Sequence, residues 1–423
     1  MREEQKGGRP RAVIVGAGFA GLWAAKALAG AEIDVLLLDR NNYHTFVPLL
    51  YQVAAGELEA EQIAYPVRAI VRRRPNIRFV MAEVVDVDLE SKRVITREDR
   101  VPYDYLILAG GSVTNYFGLQ SVAERAWTMK DLSEAVALRS QVLHLFERAS
   151  REDDPERRRS LLTFVIVGGG PTGVEFAATL AELIWQVLVK DYPEISFDEA
   201  RVILLEAMPT LLPGLDPRLS EYAKRVLEQK GVEVRLQAMV TGATDREVLL
   251  KDGEPIAAET LVWTAGVRAN ALADRLPVAK GRGGRLVVTP ELHLPEHPEV
   301  YVAGDMAYLE DESGRPIPQV APAAIQEGEH AARNILRAIS GEPLLPFRYR
   351  DMGTMVTIGR SRGVAYVWGR SVRGFLAWVA WLVVHLVRLI GFRNRLFVLV
   401  NWAWNYLFFE RAVRLIIRSR DER

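Results

Sequence analysis

The chain of 423 residues contains no cysteine. That excludes a disulfide framework, thiolate-held zinc or iron–sulfur sites, and any catalytic thiol. Histidine is scarce, six in all. None stands at the spacing of H-E-x-x-H or a similar ligand motif, so no metal is expected. Net charge is also missing, with 54 basic residues against 54 acidic ones. The N-terminal residues Met1-Arg2-Glu3-Glu4-Gln5-Lys6 are charged and lack the apolar stretch of a secretory signal, so a location on the cytoplasmic side is expected. What remains is an ordinary globular composition, 49% hydrophobic, over a length that suggests two or three domains with sizeable cores.

The zero net charge hides an asymmetry. From Arg360 to Arg423 there are twelve arginines and three acids, Glu410, Asp421 and Glu422, a net +9 that the rest of the chain balances. Five of the nine tryptophans, Trp368, Trp378, Trp381, Trp402 and Trp404, lie in the same tail. Its two apolar runs, Gly374 to Val387 and Leu396 to Phe409, have 14 residues each. Both fall short of the ~20 that a spanning helix needs. Arg411, Arg414 and Arg418 follow at helical spacing as one basic stripe. The tail therefore reads as monotopic helices on an anionic membrane surface, with a dimer interface as the competing reading. Nucleic acid is not expected, because long apolar runs suit lipid better than phosphate.

Two glycine fingerprints carry most of the information. Gly16-Ala17-Gly18-Phe19-Ala20-Gly21 follows the apolar run Ala12–Val15, and Gly168-Gly169-Gly170-Pro171-Thr172-Gly173 follows Phe164–Val167. Each leads into a helix-like stretch. In such a motif the first glycine makes a tight turn, the second leaves room for a pyrophosphate, and the third lets helix and strand pack closely. The helix N-terminus supplies unpaired N–H groups and a favourable dipole. A carboxylate at the end of the next strand receives ribose hydroxyls. Asp39 stands 18 residues after Gly21, as expected. Glu206 stands 33 residues after Gly173, which implies a longer helix and a loop around Asp191-Tyr192-Pro193. The chain thus reads as binding two dinucleotides, and such proteins commonly pass electrons between them. Tyr103–Gly111, Leu261–Gly266 and Val300–Asp305 each read as an apolar strand ending in glycine, the first returning the chain to the first sheet. Asp305 is open between a turn residue and a cofactor ligand. Ser150–Arg159, acids first and arginines last, reads as a surface connector.

With Asn42-Tyr43-His44, Pro48-Leu49-Leu50-Tyr51-Gln52-Val53-Ala54, Gly170-Pro171-Thr172-Gly173-Val174-Glu175 and Gly304-Asp305 added to the fingerprints and tail, the chain resembles the type II NADH dehydrogenases over almost its whole length. These are single-subunit, non-pumping NADH:quinone oxidoreductases. The resemblance implies an α/β fold of two Rossmann-like domains, for FAD and NADH, plus a C-terminal membrane-associating helical segment. Residues 1–115 and 276–345 would form the FAD-binding domain, 116–160 a connector, 161–275 the NADH-binding domain and 346–423 the membrane anchor. FAD would be held by Gly16, Gly18, Phe19, Ala20, Gly21, Asp39, Arg40, Val84, Ala109, Gly110, Gly304 and Asp305. NADH would be held by Gly168, Gly170, Gly173, Glu206, Ala265 and Gly266, with Glu206 repelling the extra phosphate of NADPH.

The resemblance further implies that Glu175 faces the nicotinamide and flavin and positions NADH or relays a proton. The alternative for Glu175 is an acid that merely complements the helix dipole. The family's quinone segment, Ala-Gln-x-Ala-x-Gln, reads Ala321-Pro322-Ala323-Ala324-Ile325-Gln326 here. Gln326 is retained as the candidate to meet a quinone carbonyl, Pro322 replaces the first glutamine, and Gln319, three residues earlier, is a candidate to substitute for it in part. A homodimer on the cytoplasmic face of the membrane is the implied assembly. A reductase for a protein carrier and an NADH-sensing flavoprotein remain as alternatives. The disulfide reductases and sulfide:quinone oxidoreductases of the same superfamily require the cysteines this chain lacks.

Overall fold

The computed structural model describes residues 8–408, 410–411 and 413–416, which form two compact units. The first unit takes 8–44, 65–113 and 267–352; the second takes 45–64, 114–266 and the C-terminal part from 353. Residues 45–64, expected with the first fingerprint, pack with the second unit instead. The 116–160 stretch is likewise part of the second unit's body, with a helix at Leu132–Ala149 whose Leu138, Val142 and Phe146 are buried.

The first unit is built on a six-stranded sheet in the order His293–Leu294, His297–Val302, Tyr105–Leu108, Arg11–Val15, Asp34–Asp39, Ile77–Met81. All neighbours are parallel except the His293–Leu294 edge. The Tyr103–Gly111 stretch does return to this sheet, pairing Leu108 with Val15. Two helices, Phe19–Ala27 and Ala321–Ile339, pack against each other. Gly328 makes that contact tight, since a Cβ there would lie 2.1 Å from the Ala20 carbonyl oxygen.

The second unit has a four-stranded parallel sheet in the order Val232–Leu236, Arg201–Glu206, Thr163–Val167, Thr260–Trp263. Every residue of Thr163–Val167 is buried, which is why it reads as an unbroken apolar run rather than an alternating one. The helix after the second fingerprint runs from Pro171 to Asp191, with a π-type stretch at Leu183–Leu188. This length accounts for the wide spacing to Glu206. It is long and apolar enough to cross a bilayer, yet 78% of its apolar window is buried as the unit's core helix.

The C-terminal part opens with an antiparallel sheet, Thr354–Thr357, Gly363–Val367 and Arg370–Arg373. The helices Phe375–Arg388 and Phe392–Phe408 follow. Neither apolar run is all surface. Trp381 is 1% exposed and Trp402 is buried with it. The outward residues of the first helix, Leu376, Val383 and Val387, fall on one stripe and are largely exposed. The basic stripe is not what the spacing suggests. Arg411 and Arg414 follow the helix rather than continue it. Arg411 turns inward to the carbonyl oxygens of Ala55 and Thr179 (both 2.9 Å), and Arg414 pairs with Asp191. Backbone carbonyls and acids of the same unit take these guanidinium groups. Arg418 lies outside the described residues.

Candidate functional site

The two fingerprints fold into matching cradles, one in each unit. Gly16 and Gly168 hold φ of +102° and +110°, a region L-residues rarely adopt. The third glycines seat each helix on its own loop. A Cβ on Gly21 would stand 1.8 Å from the Gly16 carbonyl oxygen, and one on Gly173 would stand 1.9 Å from that of Gly168. The middle glycines differ. Gly18 and Gly170 are the N-caps of their helices, and a Cβ on either would meet nothing within 4 Å, so the space above each helix N-terminus is open. An open space at a helix N-terminus, where the first-turn N–H groups have no acceptor within the helix itself, fits a pyrophosphate.

The strand-end acids complete both cradles. Asp39 accepts the N–H groups of Ala17 (2.6 Å) and Asn41 (2.7 Å). Glu206 accepts those of Gly169 (2.6 Å) and Met208 (2.8 Å). Burial pushes the Asp39 carboxyl upward, and the two backbone N–H groups pull it back. Ala109 and Ala265 back the first glycines of their units; a Cβ on Gly16 would strike the Ala109 carbonyl oxygen at 2.3 Å, and one on Gly168 would strike the Ala265 backbone at 2.7 Å. Gly110 adjoins Met306, and Gly266 packs under Phe117. Phe19 and Ala20 open the first helix, while Arg40 lies exposed just past Asp39. Val84 stands apart, opening a strand of a separate three-stranded sheet where it pairs with Thr96.

Gly304 and Asp305 follow the strand His297–Val302 in the same unit. The Gly304 N–H donates to buried Glu327 (2.5 Å), and Asp305 accepts the hydroxyl of Ser112. Gln319 donates to the Asp305 carbonyl oxygen (3.1 Å), which spends it on the loop. Pro322 sits in the first turn of Ala321–Ile339, where its missing N–H costs nothing. Gln326 is clamped by the Arg350 backbone, its Nε2 donating to the carbonyl oxygen and its Oε1 accepting the N–H, each at 3.0 Å.

Glu175 lies beyond the first helical turn and is buried, so it is not an exposed partner of the helix dipole. Its Oε1 accepts the Thr357 N–H at 3.3 Å. Burial pushes its carboxyl up to about 8, against hydrogen bonds from Thr357 and the Trp381 side chain. Thr357 also pairs with the Tyr51 hydroxyl (2.9 Å), which accepts from Gln52 Nε2 (3.0 Å); Gln52 Oε1 accepts from the Trp402 indole (2.9 Å). One polar network thus joins the second fingerprint helix, the Pro48–Ala54 stretch and the tail. It holds a carboxyl poised near neutrality, as a proton donor requires.

Sequence reasoning assigns no role to Tyr51, Gln52 or Thr357, and it reads Trp381 only as one of the tail's membrane-facing tryptophans. Only the Pro48–Ala54 stretch carries a signal for the first two. His44 is also missed. Its Nδ1 donates to the Ala17 carbonyl oxygen at 2.9 Å, and burial lowers its pKa to about 4, so it braces the first glycine loop as a neutral ring.

The family model of the pyridine nucleotide-disulphide oxidoreductases matches residues 10–328. The chain is 40% identical to the type II NADH:quinone oxidoreductase Ndh of Mycobacterium tuberculosis, over 96% of this chain and 89% of the relative. It is 31% identical to the type II NADH:quinone oxidoreductase of Staphylococcus aureus, over 86% and 92%. In fold it is similar to NDH2 from Plasmodium falciparum, solved in complex with NADH, with a TM-score of 0.89 at 19% identity over 97% of this chain and 100% of that one.

Proposed function

The chain belongs to the pyridine nucleotide-disulphide oxidoreductase family and, within it, to the type II NADH:quinone oxidoreductases, and from that premise we propose how its residues carry electrons from NADH to a quinone. The observation that carries the proposal is the pair of matching cradles, one per unit, each with an open glycine N-cap and a strand-end acid. The first unit holds FAD. Gly16, Gly18 and Gly21 receive its pyrophosphate, Asp39 a ribose, and Asp305 the polar chain. FAD, once bound, supplies the two-electron chemistry that links a hydride donor to a quinone. The second unit holds NADH on Gly168, Gly170 and Gly173, with Glu206 on the adenosine ribose.

Glu206 sets the coenzyme preference. A phosphate on that ribose meets a carboxylate already fixed by two N–H groups, and like charges at contact cost several kcal/mol. Glu206→Gln should raise the ratio of NADPH to NADH kcat/KM about tenfold, a change of ~1.4 kcal/mol. An unchanged ratio in steady-state assays would remove Glu206 from this role.

Glu175 is the proton-holding group on the nicotinamide side, and Tyr51 and Thr357 orient it. Gln326 keeps a second amide N–H beyond its clamp to Arg350, and that N–H is offered to the quinone. The outward faces of the two tail helices rest on the membrane, where the quinone resides. Leu376 is 72% exposed and Phe392 is 82% exposed, and the tail's positive charge favours the anionic cytoplasmic leaflet. Deleting the tail is a poor test, because Trp381, Trp402 and Arg411 belong to the core of the second unit. The double variant Leu376→Asp/Val387→Asp changes the surface alone. It should cut co-sedimentation with anionic vesicles at least tenfold while leaving Tm within about 2 °C, since each apolar side chain contributes ~1.5–3 kcal/mol on burial. Wild-type binding by that variant would place the membrane contact elsewhere.

A further inference from the structure

A small cavity in the second unit adjoins the Tyr51 network. Its walls include Tyr51, Gln52, Glu57, Glu182, Thr357 and Arg411. At about 60 Å³ it has room for roughly four waters at about 15 Å³ each. It is too small for a quinone ring, whose sites run to about 300 Å³ or more. Its lining combines buried side chains, Tyr51 and Trp381, with exposed ones, Tyr406 and Glu410, so it brings the protein surface and the Tyr51 side chain to one cavity.

Glu57 is the carboxyl within it that no structural bond consumes. Its backbone is fixed, with the N–H donating to the Gln52 carbonyl oxygen (2.7 Å) and its own carbonyl oxygen accepting from Asn405 (3.3 Å). Among the described residues its side chain has no hydrogen-bond partner. Glu182, by contrast, is fully engaged by Lys230 (2.6 Å), the Arg360 N–H (2.7 Å) and Arg411 (3.5 Å). Burial raises the Glu57 carboxyl to about 7, with Glu182 adding to the rise and Arg411 opposing it. Tyr51, Arg360 and Glu410 line the same cavity, Lys230 faces it through Glu182, and Arg139 stands beside neighbouring Gly56.

We infer that Glu57 passes solvent protons, through water in this cavity, to the paired hydroxyls of Tyr51 and Thr357, and that the Thr357 hydroxyl, not its N–H, hands the proton on to the Glu175 carboxyl that serves quinone reduction. The inference rests on the quinone reading above. The overall reaction is NADH + H⁺ + quinone → NAD⁺ + quinol. The hydride leaving NADH carries two electrons and one proton, whereas the quinol gains two O–H bonds. One proton per turnover must therefore come from water. At Glu57 an O–H bond breaks toward the cavity water on the Tyr51 side, and a new one forms from the Glu410 side. The carboxyl ends each turnover as it began.

The test is Glu57→Gln in the full-length, FAD-loaded enzyme, with Glu57→Asp beside it. Two acceptors are compared, a short-chain quinone and ferricyanide, which takes electrons without protons. Glu57→Gln should lower quinone kcat about tenfold to hundredfold and leave ferricyanide turnover within twofold. The wild-type decline in quinone kcat as pH rises through about 7 should vanish, leaving the limb near 8 that belongs to Glu175. Glu57→Asp should recover part of the rate. An unchanged quinone kcat and pH profile would overturn the inference. So would an equal loss with both acceptors, which marks a structural role. A wild-type enzyme that reduces ferricyanide but no quinone would overturn the reading beneath it.

Discussion

Gly173→Ala will lose NADH-driven turnover by at least about 100-fold while retaining its full complement of FAD. The added methyl would stand 1.9 Å from the Gly168 carbonyl oxygen and 2.8 Å from Thr264 Oγ1. The first of these is backbone and cannot rotate aside, so the helix Pro171–Glu182 must shift on its loop. A displacement near 1 Å in a positioning element costs ~10²-fold, and here it moves the N–H groups that would receive the pyrophosphate. The FAD cradle lies in the other unit and does not change. Gly170→Ala is the matched control. Its methyl meets nothing within 4 Å, so Tm should hold while the NADH KM rises, because the methyl takes the ligand's room. NADH titrations followed by flavin bleaching separate the two. Wild-type NADH affinity in Gly173→Ala would mean that this loop is not the NADH site.

Glu175→Gln will slow quinone reduction about 100-fold, the lower range for loss of a general acid, yet make the protein more stable above neutral pH. The native carboxyl is pushed to about 8, mainly by burial, from an ordinary 4.5. A raised acid is protonated in the folded state over a range where the unfolded chain is ionised. Below about pH 4.5 both states hold the proton and nothing is lost. As pH rises from there to about 8, the unfolded state is progressively favoured, and the loss is complete above 8. Glutamine keeps an acceptor for the Thr357 N–H and has no charge to bury. Thermal unfolding should therefore show Glu175→Gln above wild type at pH 8, with the gap closing toward pH 5. A gap between variant and wild type that stays the same at pH 5 and pH 8 would show that the Glu175 carboxyl is not raised in the native protein. One that reduces quinone at the wild-type rate would strip it of a proton-transfer role.

The cradles are legible in the sequence because they are local. Gly16 to Asp39 is one strand–loop–helix–strand unit, and each glycine answers a steric demand within it. The second unit repeats the pattern, with its wide spacing absorbed by the helical stretch to Asp191. Glu175 is legible only through resemblance, because nothing near it in sequence says that it is buried. Its setting depends on Thr357, 182 residues away, and on Trp381. The Gln52–Trp402 bond spans 350 residues, and the bond from Arg411 to Ala55 spans 356. Periodicity cannot register such contacts. It correctly marks the tail as apolar and basic, but it cannot tell the exposed side from the side that Trp381, Trp402 and Arg411 commit to the core. The placement of residues 45–64 with the second unit is hidden for the same reason.

The most direct test of the electron path is anaerobic steady-state turnover of the purified, FAD-loaded chain with NADH and a short-chain quinone, NADPH being run in parallel. One quinol should form for each NADH consumed, over many turnovers, with NADPH kcat/KM at least about tenfold lower. Bleaching of the flavin by NADH with no catalysed quinol formation would contradict this path, since both cradles would then be filled and the acceptor would not be a quinone.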